Sequence, residues 1–352
     1  GFGFGPAAED AASARLAAAF HRFIDVNTMT DQQVAALSRE LGIDIAVDLK
    51  GYTRDSRPGL FAAGCAPVQV SYLGYPGTMA TDYHDYLIAD TVVVPPAQRG
   101  HYSEQLVYLP GCYQANDSRR APAVEPVSRA ALGLPERAFV FCCFNNSYKI
   151  LPETFACWMR LLQAVEGSVL WLLEDSKDAS ARLCEAALGH GVEPQRLVFA
   201  PRVGAAEHLA RHRAADLFLD TWPCNAHTTA SDALWAGLPL LTVMGEAFAG
   251  RVAASLLHAL GLPELIVTTE HAYEQRARAL ATDPAALASL RERLAEQRLS
   301  SPLFDGRAMA RNLETAYAAM HQRRLSGLPP AALAVEADGS YRLLDAQDVA
   351  DE

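Results

Sequence analysis

No Lys/Arg-rich run appears anywhere in these 352 residues, and 30 basic against 41 acidic residues leave a net charge of −11. The electrostatic footprint of a nucleic-acid binder is therefore missing, and any phosphate has to be met by local chemistry. No apolar run approaches the roughly 20 residues that span a bilayer. The start, Gly1-Phe2-Gly3-Phe4-Gly5-Pro6, lacks a charged segment followed by an apolar one, so neither a membrane nor a secretion route is expected. There is no Cys-x-x-Cys pair, and the seven cysteines, at 65, 112, 142, 143, 157, 184 and 224, are odd in number. That argues against a zinc ribbon or a complete disulfide framework and fits a reduced, cytoplasmic setting. No repeat of 20 to 50 residues is evident. An initiator Met is missing as well, and the expectation is a fragment whose upstream part is absent.

Half the residues are hydrophobic, enough at this length for two domains with substantial cores. A helical pattern over residues 31–41 precedes apolar runs at 45–49, 68–73, 86–89 and 106–109. The rhythm restarts with strands predicted over 139–144, 169–173, 197–200, 217–220 and 240–243, separated by helices after Pro152 and over 179–188 and 207–215. Strands alternating with helices of this length imply parallel sheets with right-handed crossovers. The fold class is α/β with two Rossmann-like, doubly wound lobes. A Pro/Ala/Ser-rich stretch from 110 to about 135, with Arg119 and Arg120, reads as a linker. The expected division is 1–120 for the first lobe, 121–135 for the linker and 136–325 for the second lobe. Residues 326–352, with Pro329-Pro330 and several acidic residues, are expected to be a loosely ordered tail.

In such folds ligands sit beyond the carboxyl ends of the strands, so the loops after each strand matter most. After the strand at 217–220 come Cys224-Asn225-Ala226-His227-Thr228-Thr229-Ala230-Ser231-Asp232 and then Ala233-Leu234-Trp235-Ala236-Gly237. Thr228 or Thr229 is the expected N-cap, and the first helical N–H groups, unpaired within the helix, suit an anion. Asp232, one turn on, is badly placed for phosphate and well placed for ribose hydroxyls. The same residues also suit a plain helix cap. After the strand at 139–144, Asn145-Asn146-Ser147-Tyr148-Lys149 leads to Pro152 as a first helical residue. An ammonium there suits a departing diphosphate, although a surface lysine reads equally well. His208 and His212 lie four apart on a helix, a spacing that suits a metal. No third ligand stands out, and Asp-x-Asp, the carboxylate pair that holds Mg²⁺ or Mn²⁺ in many nucleotide-sugar enzymes, does not occur. A metal-independent site without cofactor is the better reading, with His208 against a base or ribose. His84 and Asp85 read as structural.

The runs Leu73-Gly74-Tyr75-Pro76-Gly77-Thr78, Asp85-Tyr86-Leu87-Ile88-Ala89-Asp90, Tyr102-Ser103-Glu104, residues 144–149, Ser168-Val169-Leu170-Trp171-Leu172-Leu173, the Cys224 segment, Arg251-Val252-Ala253-Ala254-Ser255 and Ser301-Pro302-Leu303-Phe304 occur in that order. In this order they resemble the catalytic region of the protein O-GlcNAc transferase family, over roughly residues 48–317. The resemblance implies a GT-B glycosyltransferase that transfers N-acetylglucosamine from UDP-GlcNAc, with inversion and without metal, to Ser or Thr hydroxyls of proteins. By motif, Lys149 resembles the family lysine on the UDP phosphates, with Asn146 beside it. His208 and the backbone around Val203 resemble the uridine contacts. His227, Thr228 and Thr229 look like the diphosphate cradle, Asp232 like the ribose ligand and Cys224 like a residue near the sugar. Gly74, Tyr75, Pro76, Gly77 and Thr78 resemble the loop facing sugar and acceptor, which makes the first lobe the acceptor side.

Departures accompany the likeness. Upstream TPR repeats and a first catalytic segment with a histidine near the acceptor, both known in the family, do not occur here. Ala205 stands where family members can have a lysine, and the short linker looks bacterial. A fragment of this kind is expected to bind UDP and to transfer poorly. A protein O-fucosyltransferase using GDP-fucose shares the fold and stays open as an alternative, although His227 with Asp232 and Trp235 is closer to the GlcNAc branch. A catalytically inactive nucleotide-sugar-binding or interaction module and a small-molecule glycosyltransferase stay open as well.

Overall fold

Ile45 to Asp48 opens a run of short apolar strands, each separated from the next by a turn or helix, in the computed structural model, which describes residues 1–5, 11–124 and 127–345. Two units emerge: residues 1–89, 96–108 and 313 onward form one, and residues 90–95 and 109–312 the other. In the first unit, β1 (Phe2–Gly3) pairs in parallel with β2 (Ile24–Asp25), and α1 (Ala11–Ala19) lies between them in sequence. Thr30 caps α2 (Asp31–Glu40) and Gln33 closes the capping box, so two orphan N–H groups are satisfied reciprocally. Then come β3 (Ile45–Asp48), α3 (Gly59–Ala62), β4 (Val68–Ser71), β5 (Tyr86–Ala89) and β6 (Gln105–Tyr108), all four strands parallel in the order β3-β4-β5-β6. The turn after β4 runs hard against the turn after β3: a Cβ on Gly74 would lie 2.1 Å from the Leu49 carbonyl oxygen. Only glycine fits that approach.

The second unit holds β7 (Val140–Cys143), α4 (Pro152–Ala164), β8 (Val169–Leu173), α5 (Lys177–Gly189), β9 (Leu197–Ala200), α6 (Ala205–Arg211), β10 (Leu217–Leu219) and α7 (Thr228–Trp235). It continues through β11 (Leu240–Val243), α8 (Val252–Ala259), β12 (Ile266–Val267), α9 (Glu270–Thr282) and α10 (Pro284–Ser300). Every residue of β7, β10 and β11 is buried, the near-continuous apolar pattern of a parallel sheet covered on both faces. Phe141, Trp158, Trp171 and Phe218 fill the interior. The sheet order is β12-β11-β10-β7-β8-β9, all parallel. Read from the other edge this is the Rossmann winding, and it reverses between β7 and β10.

Helix α11 (Gly306–Leu325) returns the chain to the first unit. The stretch expected as a loose tail from residue 326 instead adds two strands there. β13 (Leu333–Val335), fully buried, pairs in parallel with β6, and β14 (Tyr341–Leu343) pairs antiparallel with β13. The run Leu333-Ala334-Val335 is apolar enough to bury, and β6 offers an unpaired edge for it; residues 346–352 lie outside the described residues. The expected boundary at 120 also shifts. Cys112 and Tyr113 are buried, and the Tyr113 amide donates to the Asp90 carboxylate at 2.8 Å, so the stretch expected as a linker from 110 already packs into the second unit.

Candidate functional site

The two loops that leave the reversal point, after β7 and after β10, are stitched together by side-chain amides. Asn145 donates from Nδ2 to Thr221 Oγ1 at 2.8 Å, and its Oδ1 accepts from the Thr229 hydroxyl. Asp220, at the end of β10 and fully buried, braces the second loop. Its Oδ1 accepts from the N–H of Thr221 at 2.8 Å and of Ala226 at 2.6 Å, and its Oδ2 from Thr242 Oγ1 at 2.7 Å. Burial pushes its carboxyl up to about 7 against the pull of these donors and of Lys149. Lys149 ends a short turn, Ser147–Lys149, and its ammonium donates to the Asn225 carbonyl at 2.6 Å. Pro152 is the first residue of α4, as its fixed φ favours.

His227, not Thr228 or Thr229, is the N-cap of α7, and no side chain caps it. The brace from Asp220 to the Ala226 amide turns the chain into the helix one residue early. The Thr229 hydroxyl is engaged with Asn145 instead of a helix amide. Both threonines thus lie in the first turn, where helical N–H groups suit an anion.

These loops line a cleft of about 560 Å³. Eight of the nine residues expected around a nucleotide sugar line it: Asn146, Lys149, Val203 and His208 from the earlier loops, and His227, Thr228, Thr229 and Asp232 from α7 and its approach. Cys224 does not line it; the half-buried thiol lies 3.9 Å from the Asn225 carbonyl. Gly74 to Thr78 belongs to the first unit, where Thr78 Oγ1 donates to Glu104 at 2.6 Å.

Four cations, Arg120, Lys149, Arg202 and Arg211, line the cleft against one carboxylate, Asp232. In a chain of net charge −11 this concentrates positive charge at one place. Arg202 pairs with Asp175 at 2.6 Å and donates to Asn146 Oδ1 at 2.9 Å; Arg211 donates to His208 Nδ1 at 2.6 Å and stacks on Phe144, 4.5 Å from the ring centre. Arg120 pairs with Asp232, whose carboxyl burial raises and Arg120 lowers. Sequence reading missed Asn145, Asp220 and Arg120. The first two stand at or just beyond the carboxyl ends of strands and were findable by position, whereas Arg120 was absorbed into the composition of the linker.

An arginine is always a donor, so His208 Nδ1 accepts and the neutral imidazole carries its proton on Nε2. Burial and the nearby Arg211 and Arg120 lower His208 to about 4. His227 falls to about 4 through burial and Lys149, and the fully buried His212 to about 3 through burial and His208. His212 Nδ1 donates to the His208 carbonyl at 2.7 Å, and the one lone pair of the neutral His208 ring is taken by Arg211, so the two rings do not share a metal in this arrangement, and no group of three metal-ligating side chains occurs among the described residues. The unfolded chain takes these protons near pH 6.5. The contribution of the three neutral rings to stability is thus present above that pH and lost as pH falls toward 4. Histidine NMR titration should show all three neutral at pH 5.5, with His208 protonated on Nε2. A His208 midpoint near 6.5 would contradict the Arg211 bond.

The probable UDP-N-acetylglucosamine–peptide N-acetylglucosaminyltransferase SEC of Arabidopsis thaliana is 39% identical over 322 residues, covering 90% of this chain and 33% of the relative. The corresponding Caenorhabditis elegans enzyme is 29% identical, covering 82% and 35%. The chain thus spans about a third of the length of the curated relatives it matches. Among solved structures, an O-GlcNAc transferase variant from Thermobaculum terrenum superimposes with a TM-score of 0.82 at 33% identity, over 93% of this chain and 62% of that one. A Rickettsia africae glycosyltransferase, 10% identical with a TM-score of 0.60 over 90% of this chain and 88% of that one, shares the fold alone. Both units are Rossmann-like α/β lobes of the GT-B class. The model of glycosyl transferase family 41 matches residues 2–123 and 115–313, taking in both loops of the cationic cleft, and the chain belongs to that family.

Proposed function

We propose that this chain is the catalytic region of a protein O-GlcNAc transferase, which moves N-acetylglucosamine from UDP-GlcNAc to Ser or Thr hydroxyls of proteins. The observation that carries the reading is the cationic cleft at the winding reversal, with Lys149 opposite the first turn of α7. The names of the relatives supply the donor and the acceptor class. The uracil lies toward His208 and Val203, the ribose toward Asp232, and the diphosphate between Lys149, His227 and the amides of Thr228 and Thr229. Asn146 steadies the Lys149 loop through Arg202. The resemblance assigns Cys224, which lies outside the cleft lining, to the sugar, and Gly74 to Thr78, fixed within the first unit through Thr78 and Glu104, to the acceptor.

The acceptor oxygen bonds to the anomeric carbon as the bond from that carbon to the diphosphate breaks on the opposite face, so configuration inverts, UDP leaves with the bonding electron pair, and the hydroxyl proton is released to solvent water. Charge grows on the departing diphosphate, and a preorganised ammonium and helix amides stabilise it most when it is fully developed. That assigns to protein groups the neutralisation a divalent cation supplies elsewhere, and transfer is metal-independent. A cytoplasmic setting belongs to the same reading and suits seven free thiols, five of them buried.

Calorimetric titration in EDTA tests the donor. UDP and UDP-GlcNAc are expected to bind with unchanged affinity when the metal is chelated. Binding of GDP-fucose in their place would overturn the donor assignment, and a requirement for Mg²⁺ or Mn²⁺ would overturn the metal-free step.

A further inference from the structure

Helix α7 does more than present its first turn to an anion: it holds the segment before the second lobe's first strand at three points. The Ser231 hydroxyl donates to Asn116 Oδ1, the Asp232 carboxylate takes the Arg120 guanidinium, and the Trp235 indole N–H donates to the Arg120 carbonyl at 2.8 Å. Arg120 Nε donates in turn to the Asp117 carbonyl at 3.2 Å, so the guanidinium is fixed from both its main chain and its side chain. It takes one oxygen of Asp232, Oδ1, and lines the cleft beside it. A carboxylate held on one oxygen by a charged donor keeps one orientation and leaves its second oxygen free to accept.

We propose that Arg120 is a positioning residue of the donor site: it holds the Asp232 carboxylate in one rotamer, so that the second oxygen meets the ribose hydroxyls of a nucleoside diphosphate. Burial raises the Asp232 carboxyl above its ordinary value, and Arg120 limits that rise. The inference rests on the uridine diphosphate reading. It adds a residue from a stretch whose composition marks it only as a linker.

The test measures dissociation constants for UDP and for 2′,3′-dideoxy-UDP, with thermal melts as a folding control. The wild-type chain is expected to prefer UDP by about tenfold, the scale of one charge-assisted hydrogen bond. R120Q is expected to lose about tenfold on UDP and under about twofold on the dideoxy analogue, because the lost contact is the ribose contact. R120K, which keeps a cation and serves if the glutamine variant does not fold, is expected to recover part of the loss. Equal weakening of both nucleotides by R120Q would mean that Arg120 touches the phosphates or merely supports the fold, and it overturns the proposal, as does an unchanged UDP affinity. A wild-type chain that binds neither nucleotide overturns the donor reading itself.

Discussion

Replacing Lys149 by alanine lowers transfer of labelled N-acetylglucosamine to a Ser/Thr peptide by about a hundredfold or more, while the melting temperature stays within about 2 °C of wild type. Lys149 is half-buried at the tip of a turn and makes one hydrogen bond, to the Asn225 carbonyl, worth on the order of 1 kcal/mol to the fold. In transfer it faces charge that develops on the leaving diphosphate in a cleft already shaped for it, and losing one such donor costs about 3 to 4 kcal/mol. Arginine in its place should restore little, because a planar fork does not reproduce a compact point charge at the end of a short turn. Near-full turnover by Lys149→Ala would remove the lysine from the mechanism.

Asp220→Ala is expected to cost about 3 to 5 kcal/mol of stability, the largest effect of any single change at the site. The alanine leaves the amides of Thr221 and Ala226 and the Thr242 hydroxyl without their buried acceptor. The loop that offers the Asn225 carbonyl to Lys149 would lose its brace. Asp220→Asn keeps the shape, with Oδ1 still accepting and Nδ2 able to donate to Thr242 Oγ1, and is expected to fall within about 1.5 kcal/mol of wild type at pH 7. The pair also carries a pH signature. The folded chain holds the Asp220 proton up to about pH 7, whereas the unfolded chain releases it near 3.8. That contribution is complete below pH 3.8 and disappears as pH rises through 7, so wild type loses ground to Asp220→Asn across this window. Denaturant midpoints at pH 5 and pH 8 check the direction; an advantage of wild type that grows with pH would contradict the buried protonated acid.

Much of the architecture follows from local pattern. The strands at 86–89, 169–173, 197–200 and 240–243 fall where apolar runs of that length, bounded by turn residues, require them. Their alternation with helices fixes parallel sheets. The cleft was legible because Asn146, Lys149 and the Thr228 segment directly follow strands, and a Rossmann winding brings just those loops together. What local pattern misses is set by partners distant in sequence. β13 is three residues whose burial depends on the edge of β6, more than 200 positions earlier. The N-cap moved to His227 because Asp220 reaches across the loop to Ala226. Arg120 gains its place from Asp232 and Trp235, 112 and 115 positions later, a distance over which composition carries no signal.

A crystal structure of the chain with UDP tests the central claim most directly. The account places diphosphate oxygens within about 3 Å of Lys149 Nζ and of the first-turn amides of α7, hydrogen-bond range, with the ribose at Asp232 and the uracil beside His208. UDP bound outside the cleft, or a diphosphate that leaves Lys149 on the Asn225 carbonyl and the first turn of α7 without contact, would contradict it.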